Sequence, residues 1–473
     1  MTRSATVKNK EDSLIYLYLN EDHLEIEHKN NNTKELVSFS SIYGVLYQDD
    51  LHEITIHLAS SFDPNSLSEI PDNPDLNNLR PKQVQWVQRT LTYIAADDHL
   101  CSMAAELKTQ CLPHQTTFAS TPIFVILNPT SGQQLAEKHF KDTVKPMLMT
   151  AGFQTVEKVL TESNGRTRGI AESIGKRLSS YTTPPIIVAM GGDGTLHEVI
   201  NGLADAEGAL SEHVRFRLGV IPAGSGNAFA IGLGIESIEH ATLKIIHAKQ
   251  EKPFYLMDVR FGRATQDTEW SHHVVYDKME RPIRLLVVMS WGFHAQIVSK
   301  SRYLRYFMGN QRFSLVAMFL LKFLQQYEGE VVLKQVKQYD SVNEAWPDSV
   351  QEEMVLGTDK RFTYFIASKQ HSLEKGFKIA PHASSLQKDI DIVTLRDVNA
   401  ETLTNASIGA FQGGKHIASS QVDYFKANEL LLRVPYKTEL CLDGEIHNLS
   451  AKGIIHLKVI ESSTDRCQFT VFV

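Results

Sequence analysis

Three times between residues 123 and 234, a strand-like run, unbroken and apolar in the first two cases, ends in a short loop rich in Gly, Ser, Thr or Asn and passes into a helical pattern. "IFVIL" (123–127) leads through "NPTSG" to Phe140, Val144, Met147 and Leu148 at helical spacing. "PIIVAM" (185–190) leads through "GGDG" to Leu196, Val199, Ile200 and Leu203 at i, i+3, i+4, i+7. "RFRLGVIP" (215–222) leads into "AGSGNAFAIGLG". A strand that is apolar throughout is buried on both faces, and strands alternating with helices in this way build a parallel α/β sheet. Ligands of such sheets bind outside the carboxyl ends of the strands, where all three loops fall. Each loop opens a helix N-terminus, whose free N–H groups and dipole favour an anion, so the pattern points to a nucleotide. None of the loops fits G-x-x-x-x-G-K-[ST] or G-x-G-x-x-G, which excludes a Walker loop and a Rossmann fingerprint.

The rest of the chain brackets this unit. Residues 12–112 alternate short strand-like runs ("LIYLYLN", "HLEIEHK", "EITIHL") with polar turns, then give Leu100, Met103, Ala104, Leu107 and Cys111 on one helical stripe. This small β-rich module with one closing helix looks like a pleckstrin-homology-type domain in pattern. "SSFDPNSLSEIPDNPDLNNLRPK" inside it reads as a long loop, and "PHQTTFASTP" as a linker. Residues 118–252 hold the nucleotide unit. From 253 to 473, strand-like runs such as "FYLMDVRF", "RFTYFIAS" and "KGIIHLKVI" predict an antiparallel β-sandwich. One helix interrupts it, with Phe313, Val316, Ala317, Leu320, Leu321 and Leu324 on its apolar stripe; "QYDSVNEAWPDSVQEEMVLGTDK" (338–360) reads as an acidic surface insertion.

Composition narrows the partners. The 473 residues carry a formal net charge of −7, which gives no global field for nucleic acid. The four cysteines have no CxxC spacing, the nineteen histidines include no H-E-x-x-H, and no metal ligand is assigned from them. No window is long and apolar enough to span a bilayer, so the expectation is a cytoplasmic protein that meets intracellular or plasma membranes only peripherally.

"NPTSG", "GGDGTLHEVINGL" and "IPAGSGNAFA", in that order and after predicted strands, resemble the catalytic domain shared by diacylglycerol, sphingosine and ceramide kinases; "SWGF", "GNQRF" and "LDGE" extend the resemblance towards the C-terminus. Within that group the chain is most similar to sphingoid long-chain-base kinases. The resemblance implies ATP and Mg²⁺ as cofactors, a sphingoid base as the acceptor, and a lipid-binding role for the sandwich. It puts Asn128, Pro129 and Thr130 at the nucleotide, with Thr161 and Asn164 around the adenosine end. Gly191, Gly192 and Gly194 form the phosphate turn around Asp193, the implied general base, and also face the substrate. Gly224, Ser225 and Gly226 add backbone donors. Glu198, Arg305, Arg312, Asp443, Gly444 and Glu445 complete the nucleotide set, while Phe293, Gln296 and Val298 stand where the family meets the lipid head group. Met318, Phe319 and Phe323 are implied lipid contacts.

Simpler roles exist for several of these residues. Thr195-x-x-Glu198 is also a capping box, and Asp443-Gly444 is also a good two-residue hairpin turn. Asp193 suits a turn for geometric reasons alone. Two departures bear on the substrate. The first loop is closer to bacterial diacylglycerol kinases, and Val298 stands where sphingosine kinases carry an aspartate. Ceramide or diacylglycerol therefore remains an alternative acceptor, as does a lipid-binding protein with a decayed site.

Overall fold

The computed structural model describes residues 3–30, 32–62, 84–162, 165–206, 214–248, 250–302, 311–460 and 467–473. Asn164, Arg305 and most of the long loop after Ser61 lie outside the described residues.

The three strand–loop–helix units form a parallel sheet, as their apolar runs require. Its order is Glu251–Pro253, Cys467–Phe472, Val214–Pro222, Ile186–Gly191, Ile123–Leu127, Val156–Leu160, and only the first strand runs antiparallel to its neighbour. Strand Val156–Leu160 is an addition to the pattern, because only two of its five residues are even half-buried and its apolar signal is weak. The chain leaves Ile123–Leu127 to one side and returns on the other, so the sheet's switch point lies between that strand and Ile186–Gly191. The first two loops open beside it, where such sheets bind ligands. The chain's last strand, Cys467–Phe472, pairs with Val214–Pro222 in this sheet, so the lipid-side unit expected over 253–473 gives up both its ends.

The expected sandwich is one continuous curled sheet of thirteen strands. Strand Glu330–Gln338 joins its halves: residues 330–334 pair with Glu429–Arg433, and Lys337 and Gln338 pair with Lys426 and Phe425. Between the two stretches Gln335 takes φ 55°, the irregularity that lets one strand turn a corner from one face to the other. Side chains of both halves, among them Trp291, Phe365, Leu432 and Leu457, fill a single core. The 338–360 segment lies mostly at the surface, as expected, but it is tied into the sheet. Gln351–Leu356 pairs with Glu330–Gln338, and Trp346 packs edge-on against Tyr339 (5.2 Å) and Tyr424 (5.1 Å).

The N-terminal module is a seven-stranded antiparallel sheet, and Leu100, Met103, Ala104, Leu107 and Cys111 of helix Leu100–Cys111 are buried as their spacing requires. It is not tethered by a loose linker. "PHQTTFASTP" contains the short helix Gln115–Phe118; Phe118 stacks on Phe153 at 4.2 Å, and Gln115 Nε2 donates to the Ala151 carbonyl. One apolar core runs from the module into the parallel sheet.

Candidate functional site

The loops meet because glycine lets backbone touch backbone. A Cβ on Gly224 would lie 2.6 Å from Gly192 N, one on Gly192 would lie 2.8 Å from Gly226 O, and one on Gly132 (φ 55°) would lie 2.7 Å from Ala223 O. First, second and third loops therefore form a single floor. Gly194 differs, since nothing lies within 4 Å of where its Cβ would sit.

Asp193 opens helix Asp193–Asp205, and its carboxylate crosses to the third loop. Oδ2 accepts from Ala228 N at 2.7 Å and Oδ1 from Phe229 N at 3.0 Å, while Asp193 N donates to Gly226 O at 3.1 Å. Those two N–H groups begin helix Ala228–Gly232, so the positive end of that helix is used by Asp193. Burial pushes the carboxyl up to about 6; the two N–H bonds pull it back, and the charge of Asp443 pushes the same way as burial.

Several expected ligand donors are used inside the loops. Asn227 closes the third loop on itself, accepting from Gly224 N at 3.1 Å and donating to Gly224 O at 2.7 Å. This corrects the expectation that Gly224 offers its N–H to phosphate. Asn128 accepts from Thr130 N and Oγ1 at 3.0 and 2.9 Å and donates to Thr195 Oγ1 at 3.1 Å, tying the first loop to the second. Thr195 is the third residue of its helix, behind N-cap Gly192, so the capping-box reading of Glu198 fails and Glu198 is left half-buried on the helix side. Pro129 is half-buried beside Asn128, and Ser225 and Gly226 are exposed at the loop tip. Thr161 N donates to the Leu127 carbonyl at 2.8 Å, which continues the edge of the sheet next to the first loop.

Asp443 comes from the other end of the chain. It occupies the two-residue turn with Gly444 (φ 46° and 88°) between Thr438–Leu442 and Glu445–Leu449. Its carboxylate accepts from Leu286 N (2.8 Å), Val287 N (2.9 Å), Val288 N (2.8 Å) and His197 Nδ1 (2.9 Å). The turn is thus a hairpin and also a fastener between helix Asp193–Asp205 and residues 286–288. Asn201, one helical turn after His197, is fully buried and exchanges two hydrogen bonds of 2.9 Å with the backbone of Arg284. Sequence reasoning passed over both. Their signal was a polar pair at i, i+4 on a helix whose other face is apolar. Glu445 points away and pairs with Arg302 at 2.8 Å on the surface. Arg312 lies over the Phe313 ring, 4.5 Å from its centroid, on helix Gln311–Leu321.

Phe293 is buried at the start of helix Phe293–Ser301, where the head-group residues were expected. Gln296 Nε2 donates to Gln325 Oε1 at 2.8 Å, and Val298 is half-buried. The polar groups here are others. His294 Nδ1 lies 2.7 Å from Ser290 Oγ, and its ring meets Tyr364 edge-on at 6.0 Å. The Tyr364 hydroxyl is buried with no hydrogen-bond partner among the described residues. Burial lowers the His294 imidazole to about 4, so the ring is neutral at pH 7. Tyr364 comes from a strand some seventy residues on, and nothing local marked it.

Residues 122–259 match the family model for the diacylglycerol kinase catalytic domain. A diacylglycerol kinase of Bacillus subtilis is 27% identical over 343 residues, covering 70% of this chain and 92% of the relative. Sphingosine kinase 1 of Arabidopsis thaliana is 25% identical over 391 residues, covering 74% and 75%. Sphingosine kinase 1 of Rattus norvegicus is 29% identical over 223 residues, covering 44% and 51%. The family uses ATP, and the floor of glycine loops at the sheet's switch point accords with that. Residues 122–259 thus carry a diacylglycerol kinase catalytic domain, and the chain is similar to diacylglycerol kinases and to sphingosine and sphingoid long-chain-base kinases, which supports a lipid kinase.

Proposed function

We propose that the chain transfers the γ-phosphoryl group of ATP to the primary hydroxyl of a sphingoid long-chain base. Asp193 carries this reading. It is a carboxylate raised to about 6 and fixed at the meeting point of three phosphate-type loops, and a general base works best when its pKa lies near the working pH. In this reading Asp193 accepts the hydroxyl proton, while the exposed loop residues Gly194, Ser225 and Gly226 face the phosphates. Asn128, Pro129, Thr130, Thr161 and Glu198 line the nucleotide side. Mg²⁺ arriving with ATP supplies neutralisation of the phosphate charge. Such an ion needs only one or two carboxylates beside the phosphates, and no ligand is assigned to it here, since Asp193 is kept as the base; among the described residues no group of three His, Cys, Asp or Glu forms a cage.

Support for a sphingoid acceptor comes from the same acids. A sphingoid base bears an ammonium on the carbon next to the reacting hydroxyl. That cation would sit by Asp193, whose negative charge is disfavoured by burial and by Asp443, and would offset both. A second reading, a neutral acceptor such as ceramide or diacylglycerol, is favoured by the uncharged Ser290, His294, Gln296 and Tyr364 set after "SWGF". The acceptor's bilayer would meet helix Gln311–Leu321 and the turn after it, where Leu315, Met318, Phe319 and Phe323 are 48 to 66% exposed. No helix among the described residues is long and apolar enough to cross a membrane, which suits peripheral contact. Labelled ATP with Mg²⁺ and sphingosine, ceramide or diacylglycerol separates the readings. Label in sphingosine 1-phosphate above the other two products is the expected result, and label in none of the three rejects the proposal.

A further inference from the structure

The seam between the N-terminal module and the nucleotide unit holds a cavity of about 420 Å³, and no residue of the glycine loops lines it. One wall comes from the module and includes Ser60, Ser61 and Trp86. The other is a single face of helix Ile238–His247, with His240, Leu243, Lys244 and His247 at i, i+3, i+4, i+7, together with Val473. The sequence offered no hint of it, because its walls lie some 150 residues apart.

Its chemistry is rich in donors. Lys244 is half-buried, and among the described residues Glu236 is the one acid that raises its pKa, against a larger lowering by burial. The indole N–H of Trp86 is buried with no partner among the described residues. The His240 ring stacks on Trp86 at 4.9 Å and 17°; its Nδ1 takes the Glu236 N–H at 3.4 Å, which leaves Nε2–H as a donor. The acid on the module wall, Glu35, is already bound through both oxygens by Arg89. A half-buried cation and an unused N–H both cost free energy until an acceptor meets them.

We propose that this seam binds a phosphomonoester attached to a small polar body. Three terminal oxygens match Lys244 Nζ, Trp86 Nε1, His240 Nε2 and the Ser60 and Ser61 hydroxyls better than the two of a carboxylate. The volume exceeds what phosphate alone needs and falls within the usual range of ligand pockets, roughly 300 to 1,000 Å³. Because the donors are divided between the two walls, the ligand clamps the module onto helix Ile238–His247. This site is independent of the lipid-kinase reading, since none of its residues belongs to the loop floor.

The test is calorimetric titration of the full chain with glycerol 3-phosphate, and co-sedimentation with phosphatidylcholine vesicles with and without phosphatidic acid. Wild type, Lys244→Gln and Trp86→Phe are compared. Binding of glycerol 3-phosphate weakened at least about tenfold in both variants identifies a soluble ligand; selective binding to phosphatidic acid vesicles, weakened likewise, identifies a lipid headgroup. In either case hydrogen exchange slows on both walls, at residues 58–61 and 240–247. No binding of either probe overturns the proposal, as does binding that Lys244→Gln leaves unchanged. Trp86→Phe keeps the ring and removes only the N–H, so a folding defect in the lysine variant does not decide the outcome.

Discussion

The loop floor and the side-chain group around "SWGF" are built in opposite ways. On the floor, backbone meets backbone through glycines, and one acid, Asp193, takes two N–H groups of the neighbouring loop. Around "SWGF", Ser290, His294 and Tyr364 bring neutral side chains together from a strand, a helix and a distant strand. The first is fixed by close approach of backbone at Gly132, Gly192 and Gly224, and the second by packing of side chains, with Ser290 and Tyr364 buried. In the proposed function, the phosphoryl chemistry belongs to the backbone floor and discrimination between acceptors to the side-chain group.

The sharpest way to break this comparison is Asp193→Asn. Loss of lipid phosphorylation by at least about a hundredfold is expected, the lower end for removing a general base. The variant is not silent for folding, because its amide turns an NH₂ towards Ala228 N or Phe229 N, a loss of about 1 to 3 kcal/mol. Relief of a buried charge at pH 7 offsets part of it. In the wild type, kcat/KM should rise with pH through about 6 as Asp193 loses its proton. The linkage has the opposite sign for stability. The folded state holds this proton more tightly than the unfolded chain, so its contribution to stability falls as pH rises from the ordinary carboxylate range to about 6. Near wild-type turnover in Asp193→Asn, measured per folded molecule, would reject the base.

The same contrast explains what the sequence disclosed. Apolar runs such as "IFVIL" and "PIIVAM" predict buried parallel strands because only such strands are wet on neither face, and all their residues are buried. The loops were legible for the same local reason. What the spacing could not say was how the loops' own atoms are used: Asn128, Gly224 and Asn227 spend hydrogen bonds on loop closure, which depends on contacts across the sheet edge. Tyr364, Trp346 and the fastening of Asp443 by residues 286–288 are long-range products of the curled sheet. Phe118 was hidden inside what looked like a linker because one aromatic among Thr and Gln carries no period.

Glycine substitutions sharpen the description of the floor. Gly224→Ala drives a Cβ into Gly192 N and should separate the second and third loops, at a cost of about 1 to 3 kcal/mol. Phosphoryl transfer should fall roughly tens of fold, since displacements near 1 Å matter at this step. Gly194→Ala meets no protein atom and should leave the melting temperature unchanged or slightly raised. If ATP occupies the open space beside Gly194, its KM rises all the same. Equal melting temperatures and equal KM for the wild type and Gly194→Ala would move the nucleotide elsewhere.

On the acceptor side, Val298→Asp tests head-group charge. For a sphingoid base the new carboxylate gains a charge-assisted hydrogen bond worth about 1.5 to 3 kcal/mol, so KM should fall by about tenfold or more. For a neutral acceptor it puts an unpaired acid one helical turn from His294, and activity falls. An unchanged KM on sphingosine, ceramide and diacylglycerol alike would mean that residue 298 does not face the acceptor.

The smallest effect is expected at the rim. Glu445 matches a nucleotide-site position by resemblance, yet its carboxylate is 68% exposed and binds Arg302, itself 50% exposed, at 2.8 Å. Exposed pairs of this kind contribute about 0 to 1 kcal/mol, because water screens the charges and two long side chains lose rotamer freedom. Glu445→Gln should therefore shift the melting temperature by no more than a degree or two and change the KM for ATP less than about twofold. The neighbouring Asp443 gives the contrast: its carboxylate is buried under four donors, and Asp443→Asn would leave at least one of them facing an NH₂. A rise of tenfold or more in the KM for ATP of Glu445→Gln, with the melting temperature unchanged, would show that Glu445 leaves Arg302 and turns inward when nucleotide binds.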